Sequence, residues 1–445
     1  MTAPISDVIT VNIVAQVANI SQQGFGTELL VSYEAGFSGV RTYSSAADVS
    51  ADFATTTVTY ERALAYFSQN PAPTALKIYS SALKPTQQFE FTPVVVNNTL
   101  YSFTIAAQGG APHVVTYTSD GTATAAEITA GLKTALDALA LAVTSSQQAG
   151  NTVLRIVANV AGVHFKVSPL NALGLLDPNM ALVQNHADPG IATDLAQAIL
   201  LDSDFYTIAT LFNSKLVIDA AAAWAEGAAR LYTPDSIDTN VTDTPKSGTD
   251  DVGESTQANA YDHTSVWHTP SSGDALETGL QGKLSTFEPG EETWAYKTIA
   301  GVLVGSYTPT QRTNMKAKNV NWYETMASVN LTFFGICASG KFIDFVRYSD
   351  FLKARLGERI LGLLAKLPKL PFNDKGFAAV EKEIRGQLQS DEDRGALNSG
   401  WTVLMPKLAS ISANDKAARI LRNVQVSAVF SGAIHTFILN VALSV

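Results

Sequence analysis

A two-residue period runs over residues 9–17, with Ile9, Val11, Ile13, Ala15 and Val17 on one side and Thr10, Asn12, Val14 and Gln16 on the other. That period predicts a strand. The polar stretch 21–26 follows, and its Gly24 and Gly26 make it a candidate hinge ahead of the strand-like run 27–33. The first strand is therefore expected to lie away from the body. Helical spacing is predicted over 46–69, stopped by the Asn70-Pro71-Ala72-Pro73 turn before a strand at 75–79. At the other end, a strand-like run at 424–430 leads to Ser431-Gly432, a second candidate hinge. Alternation then resumes through Phe437, Leu439, Val441 and Leu443 to Val445.

Between these ends the texture changes twice. Residues 86–166 carry β-type runs at 89–96, 100–106, 114–118, 153–157 and 163–167, interrupted by an alanine-rich helical pattern over 123–143. Lys84-Pro85 and Asp188-Pro189-Gly190 flank them, so residues 86–185 read as a β-rich domain inserted into an α/β body of 25–85 and 186–310. The body resumes as helix 192–201, strand 205–211 and helix 215–227. A long amphipathic helix is predicted over 341–369, its apolar positions including Phe345, Phe351, Leu356, Ile360 and Leu364. The fold class is a mixed, multidomain α/β layering.

Composition narrows the function. The 445 residues are 46% apolar and only 16% charged, with mean hydropathy +0.10, whereas a typical soluble domain is about 25% charged. A surface covered by other subunits accounts for so little charge. The net charge of −10 leaves no electrostatic footprint for nucleic acid or an anionic membrane. No basic leader and no membrane-spanning apolar window occur, so synthesis in the cytoplasm is expected. The charge is unevenly placed. Residues 233–292 hold twelve acidic side chains against Lys246 and Lys283, which is twelve minus two, or the whole net charge. They read as a solvated loop region, since none matches a calcium-binding EF-hand loop. Residues 341–369 are basic, with seven cations against Asp344, Asp350 and Glu358.

Catalytic signatures are missing. There is no phosphate-binding loop, no complete dinucleotide fingerprint around Gly24-Phe25-Gly26, and no Gly-x-Ser-x-Gly elbow. Cys337, in an apolar context, reads as a buried structural thiol. His263 and His268 are five apart, off the helical zinc spacing, and read as a loop or strand-surface pair. No enzyme activity, cofactor or metal is expected. The alternating ends point elsewhere. Unpaired, each is an exposed edge; added to a neighbour's sheet, each supplies main-chain hydrogen bonds and register. Strands donated at two ends make a polymer.

Several segments in combination resemble the contractile tail sheath proteins of myophages: Tyr43-Ser44-Ser45-Ala46-Ala47-Asp48-Val49 with Asp52-Phe53, Tyr66-Phe67-Ser68-Gln69-Asn70-Pro71-Ala72-Pro73, Asn321-Trp322-Tyr323, Gly340-Lys341-Phe342-Ile343-Asp344, Leu367-Pro368-Lys369-Leu370-Pro371-Phe372-Asn373, and Ser431-Gly432-Ala433-Ile434-His435. The resemblance covers the body and the C-terminal third, not the insertion or the acidic stretch. It implies a subunit of hexameric rings stacked as a helical sheath around a tail tube, whose contraction drives the tube through a bacterial envelope to deliver a genome. It implies arms at 1–24 and 431–445 that add strands to neighbouring subunits, an outward insertion, and an inner domain at 311–430. By that analogy Lys353, Arg355 and Arg359 face the tube. Implied partners are other copies, the tube protein, and baseplate and tail terminator proteins, with the virion tail as location. Bacteriocin-like and extracellular injection sheaths are the nearest alternative; a β-rich surface adhesin or depolymerase is the alternative of another class.

Overall fold

The computed structural model describes residues 22–34, 36–171, 173–174, 176–248 and 251–436. The expected strands at 9–17 and 437–445, with Ile9, Val11, Ile13, Ala15, Val17, Phe437, Leu439, Val441 and Leu443, lie outside them. The chain divides into two compact units, one of 24–351 with 431 onward and one of 352–430 with the residues up to Gln23.

The larger unit begins β1 (Glu28–Ser32), β2 (Gly39–Tyr43), α1 (Ala46–Val49), α2 (Val58–Phe67), β3 (Leu76–Ser80). The single helix expected over 46–69 is thus two, because the Thr57 side chain caps α2 at the Tyr60 amide and starts a new helix there. The inserted segment runs β4 (Gln88–Pro93), β5 (Leu100–Ala107), β6 (His113–Thr118), α3 (Ala125–Asp137), β7 (Val143–Gln148), β8 (Val153–Ala158), β9 (Phe165–Ser168), β10 (Met180–Gln184). The body resumes with α4 (Ile191–Leu201), β11 (Thr207–Thr210), α5 (Lys215–Ala228), β12 (Leu231–Tyr232), and continues with β13 (Asp235–Ser236), α6 (Thr239–Asp243), α7 (Val252–Ala258), β14 (Trp267–His268), α8 (Leu276–Leu284), α9 (Pro309–Ala317), β15 (Asn321–Met326), β16 (Val329–Phe333).

The central sheet has the order β12-β11-β1-β3-β2, parallel except for edge strand β2. In β1, Leu30 sits opposite Ala209 and Ile78, and every residue of the strand is buried. A strand covered on both faces reads as continuously apolar, and Leu29-Leu30-Val31 does. A second sheet, β13-β14-β15-β16, joins the same core, to which Ile78, Ile208, Val217, Trp322 and Phe333 all contribute. This corrects the domain boundary expected at 311. β15 pairs in parallel with β14, which ties 321–333 to the body, and the division between units falls at 351/352.

The insertion folds as a four-stranded sheet, β10-β4-β8-β7, and a three-stranded one, β6-β5-β9, around its own core. Phe91 stacks on Phe103 at 4.3 Å in that core. The helix expected to reach 143 ends at Asp137, and the polar run Val143–Gln148 is a strand paired with β8.

In the smaller unit, α10 (Ile343–Lys366, begun in the larger unit) is followed by α11 (Asp374–Asp393), capped by the Asn373 side chain at the Lys375 and Gly376 amides. β17 (Thr402–Leu404), α12 (Ala413–Ala418) and β18 (Gln425–Ser427) complete it, with β17 and β18 an antiparallel two-stranded sheet. From 352 to its end α10 has no buried residue, and Leu361 and Leu364 are 55% and 50% exposed. The apolar stripe predicted to face a core is left partly open there.

Candidate assembly site

Gln23 and Phe25, next to the expected hinge glycines, are bonded by side chains of α10. In the smaller unit the Gln23 amide donates to Glu358 Oε1 at 2.7 Å, and Arg355 Nη1 donates to the Gln23 carbonyl at 3.2 Å. Arg355 and Glu358, one turn apart, pair at 2.8 Å. In the larger unit, fully buried Arg347 donates to the Phe25, Ser285 and Phe287 carbonyls at 3.1, 3.1 and 2.8 Å and pairs with Glu292 at 2.5 Å. The expected hinge glycines are packed. A Cβ on Gly24 would lie 2.9 Å from Asp204 Oδ1, and one on Gly26 3.0 Å from the Ser285 carbonyl. Phe25 between them lies 4.6 Å from the Tyr206 ring and 5.5 Å from Phe351.

The three residues expected to face a tube separate. Lys353 is exposed. Arg359 is engaged by Gln387 Oε1 at 2.8 Å and by Glu383 at 3.7 Å, and Arg355 by the contacts just given.

At the other end, Ser431 and Gly432 carry no regular structure, and the chain passes between the units at 430/431. His435 then docks on the larger unit. Its Nε2 lies 2.8 Å from Thr293 Oγ1, its carbonyl accepts from the Tyr296 hydroxyl at 2.8 Å, and its ring meets Phe342 edge-on at 4.9 Å.

The acidic stretch is where the structure departs most from expectation. Among its described residues seven acids are buried: Asp235, Asp238, Asp251, Glu254, Asp274, Glu277 and Glu292. The stretch is therefore not a solvated loop region: cations distant in sequence pair with several of these acids, and others, such as Asp274 with Thr269, are held by hydrogen bonds. Arg62 on α2 pairs with Asp235 and Glu277, each at 2.8 Å. Lys318 pairs with Asp251 at 2.5 Å and donates to the Asn240 carbonyl at 2.8 Å, so an ammonium occupies the acidic cluster. Burial holds the Glu277 carboxyl well above the ordinary range against the opposing pull of Arg62. Burial also raises Glu28 well above it, with Glu277 adding to the rise, and neither Glu28 carboxyl oxygen has a hydrogen-bond partner.

The histidine pair is split by environment. His268 is buried, bonded through Nδ1 to the Tyr307 hydroxyl at 2.9 Å, and burial lowers its pKa to about 3. His263 sits between Glu226 and Asp350, at 3.2 and 3.1 Å. Cys337 is buried, and burial raises its thiol well above the usual value. Among the described residues no group of three or more His, Cys, Asp or Glu side chains is arranged to hold a metal, and no helix is long and apolar enough to cross a membrane.

The sequence matches no family model and no curated protein. Solved structures do match. The contracted helical sheath of the anti-feeding prophage is 11% identical, with 99% of each chain covered and a TM-score of 0.56. A chain of the sixfold-symmetrised baseplate of the same particle gives 11% identity, full coverage of both chains and a TM-score of 0.55. The contracted PVC sheath complex of an extracellular contractile injection system is 9% identical, covering 100% of this chain and 98% of that one, at 0.54. The chain has the fold of contractile sheath proteins, over its whole length.

Proposed function

We propose that the chain is a structural, non-enzymatic subunit of a contractile sheath, polymerising as stacked hexameric rings around a tail tube and contracting to drive the tube through a bacterial envelope. The observation that carries this reading is the match of fold across the full length to sheath chains of two contractile systems. The two-stranded sheet β17–β18 supports it, since a sheet of only two strands is marginal in water and Leu404 and Val426 on it are 60% and 39% exposed. Terminal strands from neighbouring copies, 9–17 and 437–445, complete that sheet by strand addition. Hexamer symmetry, tube, baseplate and terminator contacts, and a phage tail made in the host cytoplasm belong to the same proposal. An extracellular injection system is the second reading, favoured by the setting of the matched structures.

Work is stored at assembly if the extended polymer is metastable, so contraction needs no cofactor. Negative-stain microscopy of the purified protein tests the reading: rings or tubes are expected, and discrete globular particles at all concentrations would overturn it.

A further inference from the structure

Taking the sheath reading as its base, we propose that Arg355 and Glu358 form a peptide clamp that fixes the direction in which the N-terminal arm leaves the subunit. A backbone amide and carbonyl outside helices and sheets need partners or water. At Gln23 both are taken by one ion pair: Glu358 receives the amide and Arg355 gives to the carbonyl, in the way two sides of a ladder grip a strand. The two side chains are 15% and 14% exposed, and they orient each other at 2.8 Å. Bonds to charged partners in such settings are stronger than neutral ones.

Two residues further on, the Phe25 carbonyl is taken by Arg347, eight positions earlier on the same helix. The arm root is therefore gripped at residues 23 and 25 by cations of α10 spaced about two helical turns apart. Gly24 and Gly26 fit this picture as close-approach positions, where a side chain would meet Asp204 or the Ser285 carbonyl. They let residues 24–26 pack closely within the larger unit. The clamp holds Gln23 to α10, and the proposed role is to set the direction of the residues that precede it. Arg355 is accordingly a positioning residue of the arm.

The test uses the full chain in two measurements. Hydrogen exchange with residue-level fragmentation, on dilute monomer, reads the clamp directly. The Gln23 amide is expected to exchange slowly in the unaltered chain and about tenfold faster in Glu358→Ala, with Glu358→Gln between them because its amide oxygen still accepts. Amides of 343–351 serve as the control and should not change. Sedimentation across a concentration series reads the consequence: Glu358→Ala and Arg355→Ala should need more protein to polymerise, with Glu358→Gln partly restoring assembly. An unchanged Gln23 exchange rate in Glu358→Ala overturns the clamp. Faster exchange with unchanged polymerisation overturns its role in aiming the arm. Failure of the unaltered chain to polymerise counts against the sheath reading instead, while the exchange data still report on the clamp.

Discussion

Buried charge in the larger unit is held by geometry, and its members are not equivalent. Arg62 serves Asp235 and Glu277 at once, so Arg62→Met leaves Asp235 buried without its cation; a loss of about 3–5 kcal/mol is expected in urea unfolding. Glu28 sits beside the same cluster with neither carboxyl oxygen bonded and its proton held by burial. Glu28→Gln replaces a neutral acid by a neutral amide of the same shape, and the same assay should show a change within about 1 kcal/mol. His263 gives a pH dependence. Burial pushes its pKa down, but the Asp350 and Glu226 carboxylates outweigh burial and raise it above the ordinary imidazole value. Other groups near these are the Tyr206 hydroxyl on Asp350, Arg230 close to both, and Asp262 with Lys341. A raised pKa favours the cation in the fold, so this stability is complete below about 6.5, the unfolded value, and is lost as pH rises through the higher folded value. Stability measured from pH 5.5 to 8.5 should therefore fall more steeply in the unaltered chain than in His263→Gln; parallel curves would remove His263 from the account.

Among the elements, the dependable signals were periodic. The spacing that predicted helices at 192–201, 215–227 and 341–369 corresponds to α4, α5 and α10; the apolar stripe faces a core in α4 and α5, and in α10 only up to Phe351. β7 was hidden because its Ser145, Ser146, Gln147 and Gln148 carry no apolar alternation; pairing with β8 defines it. The clamp and the Arg62 cluster were hidden for a different reason. Gln23 and Arg355 are 332 residues apart, and Arg62 and Glu277 are 215, distances over which one sequence carries no pairing signal. The terminal strands expected from alternation at 9–17 and 437–445 lie outside the described residues, and their consequence is testable. On the proposed strand donation, deleting residues 1–17 should leave circular dichroism nearly unchanged while abolishing polymers in sedimentation; loss of native secondary structure would place the arm in its own subunit's core. The basic face of α10 now divides. Lys353→Gln should weaken co-sedimentation with purified tubes, more so at raised salt, and leave stability within about 0.5 kcal/mol. Arg359→Gln gives up its contacts with Gln387 and Glu383 and should show its effect in stability first.

At the scale of the whole molecule, the insertion has both a core of its own and a seam with the body, and the two make opposite demands on its removal. Its ends meet: the Asn185 amide donates to the Gln88 carbonyl at 3.1 Å, so a short glycine linker can replace residues 86–185 without stretching the body. Its core of Phe89, Phe91, Phe103, Leu132, Ile156 and Leu182 leaves with it intact. The seam is what the body loses. Ile237 packs into that core, the Leu182 amide donates to Thr239 Oγ1 at 2.8 Å, Lys166 pairs with Glu61 at 2.5 Å, and Phe212 lies 5.1 Å from the His164 ring. Uncovering Ile237 and Phe212 costs about 2 kcal/mol each at ordinary transfer values. On the proposal that the insertion decorates the outside of a sheath, off the path of contraction, the excised chain should be less stable than the full chain yet still form tubes. Replacing Ile237 by Ser in the excised chain should make it more soluble without affecting assembly, because the side chain no longer has a core to enter. Calorimetry and negative-stain microscopy of the same preparation separate the two effects. A cooperative thermal transition with no tubes would make the insertion an assembly element, whereas tubes at a lowered melting temperature would place it on the outside.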